Sequence, residues 1–218
     1  MRFTKEKIIQ GVLDLILNVI IIALLVVVIR SYLISPFQVS GPSMCNTLNF
    51  IDGACVPTGD TVGEFMLINK FSYLIGSPER GDIIVFKPEG SEQFYIKRII
   101  GIPGDTVEIK SDNFVYLKPK GGKEVKLNET YLNPQNYGNT RVPRENARIF
   151  QVPENKYFVM GDNRAHSSDS RHCFNNYTGC QQGSENTFIT PDVISGKAFI
   201  TLWPPANIKL IRKFDYGF

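Results

Sequence analysis

The chain has 218 residues, 24 Lys and Arg against 21 Asp and Glu, a net charge of +3 and 43% hydrophobic residues. That length suffices for one well-cored domain plus an anchor, and the mild, scattered charge argues against nucleic acid as a partner. No internal repeat or low-complexity tract divides the chain.

Ile8 to Ile29 is the sharpest shift in composition, apolar apart from Gln10, Gly11, Asp14 and Asn18. As a helix, these 22 residues reach ~33 Å, enough for a bilayer core of ~30 Å. A cleaved secretory peptide would share the basic front end, but it fits poorly with so long a run and no small-x-small site behind it. Arg2, Lys5 and Lys7 precede the span, and Arg30 is the only Lys or Arg between it and Lys70. The positive-inside rule therefore assigns 1–7 to the cytoplasm, 8–30 to the membrane and 31–218 to the far side. That compartment is oxidising, which makes the four cysteines disulfide candidates.

Just past the span, Phe37-Gln38-Val39-Ser40-Gly41-Pro42-Ser43-Met44 puts a serine in a Gly-Pro turn close to the bilayer surface. Alone, such a serine reads as a turn residue. Beyond it come short β-branched or aromatic runs: Val62 to Lys70, Asp82 to Lys87, Phe94 to Ile102, Thr106 to Lys110, Phe114 to Leu117, Tyr157 to Met160 and Lys197 to Trp203. Gly, Pro, Asn and Asp bound them, and no amphipathic helix stands out, so the exported part is expected to be mainly β. In the run 94–102 a lysine interrupts an apolar strand; alternation puts Tyr95, Lys97 and Ile99 on one face and Ile96, Arg98 and Ile100 on the other. An edge lysine with its ammonium in water is the plain reading of Lys97. The polar stretch of about 111–154 reads as a small inserted β subdomain.

Gly161-Asp-Asn-Arg-Ala-His-Ser-Ser-Asp-Ser-Arg171 is a poor core strand and a costly loop to order, which points to a braced polar site.

Taken together and in order, Ser-Gly-Pro-Ser-Met at 40–44, Phe-Met-Leu-Ile-Asn-Lys at 65–70, Arg-Gly-Asp-Ile-Ile-Val-Phe at 80–86, Tyr-Ile-Lys-Arg-Ile-Ile-Gly-Ile-Pro-Gly-Asp at 95–105 and the segment 161–171 resemble the type I signal peptidases. These are membrane-anchored serine proteases that remove signal peptides from exported proteins. The likeness weakens at 49–62, 111–153 and 172–188. It implies a single amino-terminal transmembrane helix followed by a signal-peptidase-like β domain, with Ser43 as nucleophile and Lys97 as general base, and with no metal or cofactor. It also implies that Ser167 aims the lysine, that Asp169, Arg171 and Arg98 form a supporting ionic network joined by Asp162, Asn163 and Arg164, and that Val39, Ser40, Tyr95 and Ile96 build shallow pockets for small residues. Signal-peptide-bearing preproteins, membrane lipid and a nearby translocation machinery are the partners implied, at the plasma membrane.

Several positions depart from the pattern. Some members carry a serine two positions before the nucleophile as an oxyanion donor; here that position is Gly41, so beyond the Ser43 amide the second donor is open. Cys45 and Cys55, and Cys173 and Cys180, sit in extra loops. Two local disulfides are the simplest pairing, but four cysteines allow three connectivities. His166 and His172 read as polar loop residues, and no compact zinc-ligand spacing occurs. Two alternatives remain: a membrane-anchored β domain that binds polypeptides without catalysis, and a specialised peptidase maturing pilus or conjugation proteins.

Overall fold

The structure, a computed structural model, describes residues 5–45, 47–59, 63–143, 148–175 and 185–218. The chain opens with helix α1 (Lys5–Val28), continued by a wider-wound turn over Ile29–Leu33. Aliphatic side chains project from all sides of α1 and remain exposed, as expected of a helix with no protein core to bury them. Together, α1 and this turn are long and apolar enough to cross a membrane.

The rest is mainly β. Strand β1 (Ile34–Gln38) is followed by a hairpin of β2 (Phe50–Ile51) and β3 (Ala54–Cys55), then β4 (Phe65–Asn69) and a single helical turn, α2 (Ser72–Ile75). Strands β5 (Ile83–Phe86), β6 (Tyr95–Gly101), β7 (Thr106–Ile109), β8 (Val115–Lys118), β9 (Val125–Lys126), β10 (Ile149–Gln151), β11 (Phe158–Met160), β12 (Ile194–Trp203) and β13 (Lys209–Leu210) complete it. The large antiparallel sheet runs β1-β4-β12-β5-β6-β11, with β13 paired to β12; a second sheet runs β10-β7-β8-β9.

The apolar runs read from the sequence fall on these strands, with three differences. The strand expected over 62–70 is β4, and Val62 itself lies outside the described residues. β1, β2, β3, β9, β10 and β13 were not expected: β1 is interrupted by Pro36, and the others, at two or three residues, are too short to show an alternation before the pairing partner is known. The second sheet already begins at Thr106, ahead of the expected boundary at 111. β7 pairs with β8 and β10 rather than with the large sheet.

One apolar cluster ties the two sheets together. Val107, Val115, Leu117 and Phe150 of the smaller sheet pack with Ile100 and Phe158 of the larger, the two phenyl rings 4.6 Å apart between centroids. A second cluster lies under the turn that carries Ser43: Val39, Met44 and Leu48 pack with Met66, Ile68 and Val85. Buried residues on both sides of Ser43 therefore hold that turn against β4 and β5.

Candidate active site

The turn after β1 needs a residue free to adopt positive φ, and Gly41, at φ +80°, supplies it. Pro42 and Ser43 follow, and the Cys45 amide closes the turn on the Pro42 carbonyl at 3.0 Å. Val39 and Met44, 2% and 1% exposed, leave Ser43 at the rim of a cleft of about 620 Å³. Val39, Ser40, Tyr95 and Ile96, the four residues expected to contact substrate, all line this cleft.

Lys97 comes from β6, paired opposite Ile84, and its side chain is only 3% exposed. The plain reading of an edge lysine therefore does not hold. Its Nζ lies 2.8 Å from Ser43 Oγ and 2.8 Å from the Ile96 carbonyl, with the Tyr95 ring centroid 5.5 Å away. Burial is the main influence on this amine and lowers its pKa to about 8; Asp169 and Asp162 pull it upward, and Arg171 pushes it down. A lysine at that value is neutral in about a fifth of molecules at pH 7.4, against about one in a thousand when unperturbed.

The residues of 161–171 and Arg98 are brought together. Arg98 makes a two-pronged bond to Asp162, at 2.9 and 2.7 Å, and caps the Gly81 carbonyl at 3.0 Å. Asp169 pairs with Arg171 instead, at 2.9 and 2.8 Å, and also accepts the Gly161 amide at 3.0 Å. Burial alone would raise the Asp169 carboxyl, but the Arg171 charge beside it holds it well below the usual range. Arg164 reaches to Glu129 in the polar stretch before β10, and both are buried. Three buried ion pairs, Arg98 with Asp162, Arg171 with Asp169 and Arg164 with Glu129, make up this brace, and the bond from Arg171 Nη2 to the Arg164 carbonyl at 3.0 Å joins two of them.

Asn163 does more than brace. Its amide donates to the Ser43 carbonyl at 3.0 Å and its Nδ2 to the Pro42 carbonyl at 3.1 Å, so it clamps the serine turn directly. Gly161 allows the approach: a Cβ there would meet Ser167 Oγ at 2.2 Å and the Ser43 carbonyl at 2.4 Å. Ser167 is therefore beside the serine turn, but its buried hydroxyl makes no hydrogen bond among the described residues, and the expected bond to Lys97 is not seen. The Lys97 amine is turned to Ser43 and Ile96 instead. Asn49, Thr47 and Glu129 also serve the site without any signal in the sequence. Thr47 donates to Asp162 at 2.5 Å across 115 residues of chain, a proximity no local pattern encodes.

Cys45 and Cys55 form a disulfide, joining the serine turn to the β2–β3 hairpin. Cys180, and with it the Cys173–Cys180 pairing, lies outside the described residues. His166 lines the mouth of the cleft, and His172 Nδ1 stands 3.7 Å from Asp169. Among the described residues no group of three His, Cys, Asp or Glu side chains is arranged to hold a metal.

Residues 12–203 match the model of a protein family described as signal peptidase, peptidase S26. A signal peptidase I P of Bacillus subtilis subsp. natto is 37% identical over 174 residues, covering 78% of this chain and 84% of its own length. A signal peptidase I of Pseudomonas fluorescens is 34% identical over 223 aligned residues, covering 88% of this chain and 73% of its own. Among solved structures, a signal peptidase I of Enterococcus faecalis V583 shares 31% identity and a TM-score of 0.39, over 56% of this chain and 97% of its own.

Proposed function

Since this chain belongs to the signal peptidase family, peptidase S26, we propose that it removes signal peptides from translocated preproteins with Ser43 as nucleophile and Lys97 as general base. It is a hydrolase of the serine peptidase class, and family membership speaks against a binding domain without catalysis. The observation that carries the dyad is the 2.8 Å contact between Ser43 Oγ and a Lys97 Nζ whose side chain is 3% exposed. Desolvation supplies a neutral amine near neutral pH, which an exposed lysine does not.

In this reading the neutral Nζ accepts the Ser43 hydroxyl proton as Oγ bonds to the scissile carbonyl carbon. The resulting ammonium returns that proton to the departing amine as the C–N bond breaks, leaving an ester on Ser43. Water then repeats the sequence: it gives a proton to Nζ as it attacks the ester carbon, and Nζ passes that proton to Ser43 Oγ as the ester C–O bond breaks, which frees the new carboxyl terminus and restores the hydroxyl and the neutral amine. The Ser43 backbone N–H faces the developing oxyanion. Val39, Ser40, Tyr95 and Ile96 leave room for small side chains at substrate positions −1 and −3 and exclude bulky ones.

α1 anchors the enzyme as a single span, with Arg2, Lys5 and Lys7 in the cytoplasm and 31–218 outside. Ser43 follows the end of α1 by only 15 residues, which suits a substrate whose own signal peptide is still in the bilayer. The β7–β10 sheet serves as a small subdomain beside the catalytic one, and the plasma-membrane setting puts membrane lipid and the translocation machinery alongside. Cleavage of a preprotein with Ala at −1 and −3 is expected to disappear in both Ser43→Ala and Lys97→Ala; retention of activity by both variants overturns the mechanism.

A further inference from the structure

The segment between Ser43 and β4 contains a hydroxyl that the dyad does not use. The chain leaves the serine turn at Asn49 and returns at Glu64, and Asn49 ties both ends together. Its Nδ2 donates to the Gly41 carbonyl at 3.0 Å, and its Oδ1 accepts the Glu64 amide at 2.9 Å. The Cys45–Cys55 disulfide fastens the middle of the excursion. Farther on, the Gly59 amide donates to Ser40 Oγ at 3.3 Å, so Ser40 anchors the returning chain as well as lining the cleft.

These ties deliver Thr58 to the wall of the cleft beside Gly41. A Cβ built on Gly41 would meet Thr58 Oγ1 at 2.7 Å, so the threonine hydroxyl fills the space that a side chain two residues before Ser43 would occupy. Among the described residues neither Thr58 Oγ1 nor the Ser43 backbone N–H has a hydrogen-bond partner. Both belong to the same cleft as Lys97. A tetrahedral intermediate on Ser43 carries an oxyanion, and a single backbone donor leaves part of that charge uncompensated.

We propose that Thr58, carried in by the disulfide-fastened loop, donates its hydroxyl to the oxyanion as the second donor beside the Ser43 amide. The loop thus contributes a catalytic group that the serine turn, with glycine at 41, lacks. The donor is neutral and moves no proton; it stabilises charge only while the carbonyl oxygen is negative. Its effect belongs to the transition state and not to substrate binding.

This inference rests on Ser43 being the nucleophile, and the test separates the two. With the full-length protein in detergent and a preprotein carrying Ala at −1 and −3, Thr58→Val is expected to lower kcat by about a hundredfold while KM stays within about twofold. Thr58→Ser, which keeps the hydroxyl, should restore kcat to within about threefold of the parent. A peptide boronic acid, tetrahedral once bound to Ser43, should lose affinity for Thr58→Val by a factor similar to the loss in kcat. A Thr58→Val enzyme within about threefold of the parent overturns the assignment, as does an equal loss in Thr58→Ser or a defect carried by KM with boronate affinity intact. Ser43→Ala runs alongside: residual cleavage there overturns the dyad itself, whereas a dead Ser43→Ala with a fully active Thr58→Val rejects only the oxyanion role.

Discussion

Replacing Lys97 by methionine is expected to abolish cleavage and to make the fold more stable at neutral pH. Burial lowers the Lys97 pKa from 10.5 to about 8, a shift of about 2.5 units, which corresponds to roughly 3 kcal/mol. The sign follows from proton counts. Between pH 8 and 10.5 the unfolded chain holds a proton at this lysine that the folded chain has released, so stability rises with pH across that window. Below pH 8 both states are protonated and the full destabilisation is present; above 10.5 it is gone. Methionine has similar volume and no charge, but it gives up the contacts to Ser43 Oγ and the Ile96 carbonyl, at about 1 kcal/mol each. The net gain at pH 7 is therefore about 1 kcal/mol. The pH dependence is the sharper measure, because those contacts cancel in it: the advantage of Lys97→Met over the parent should shrink by about 2 kcal/mol between pH 7 and pH 10. At roughly 2–4 °C per kcal/mol, that is about 5 °C in the difference between melting temperatures. Thermal unfolding of both proteins across that range checks it, and the parent kcat/KM should rise with unit slope up to about pH 8. A stability difference that does not change with pH would refute the claim that desolvation sets the base.

Two further outcomes test how the site is held. Glu129→Ala strands the Arg164 guanidinium in a buried position and should cost about 3–5 kcal/mol, whereas Glu154→Ala, which breaks an exposed pair with Lys120, should stay within about 0.5 kcal/mol; denaturant titration of both distinguishes burial from charge count. The paired Cys45→Ser, Cys55→Ser protein loses a cross-link spanning 10 residues and should fall by about 2–3 kcal/mol, a loss that reduction of the parent at this disulfide should reproduce in a melting experiment.

Much of the architecture is legible in the linear pattern because hydrophobic burial leaves a local trace. The span of 8–30 and the core strands β4, β5, β6, β8 and β11 carry their own apolar runs, bounded by turn residues. Ser43 and Lys97 are legible for a different reason: each lies in a short motif, and the ordered set resembles one family. What no local pattern carries is the identity of partners. Arg98 has two carboxylates within the same eleven-residue segment, and the sequence cannot say that it takes Asp162 and leaves Asp169 to Arg171. Glu129 sits in a stretch read as peripheral, yet it neutralises Arg164 in the interior.

By itself, the sequence marks out the apolar amino-terminal segment and the mainly β character and puts Ser43 and Lys97 forward as the candidate dyad, since each depends on side-chain type and spacing along the chain. Only the tertiary structure decides that Lys97 is buried against Ser43, that Cys45 takes Cys55, that Asn163 clamps the serine turn and that Thr58 stands over Gly41. Those depend on how strands pair and loops return, so that groups as much as 121 residues apart come within hydrogen-bonding distance. Desolvation is likewise a property of the packed surroundings, which is why the same lysine reads as a surface residue in the chain and lies buried against Ser43 in the fold.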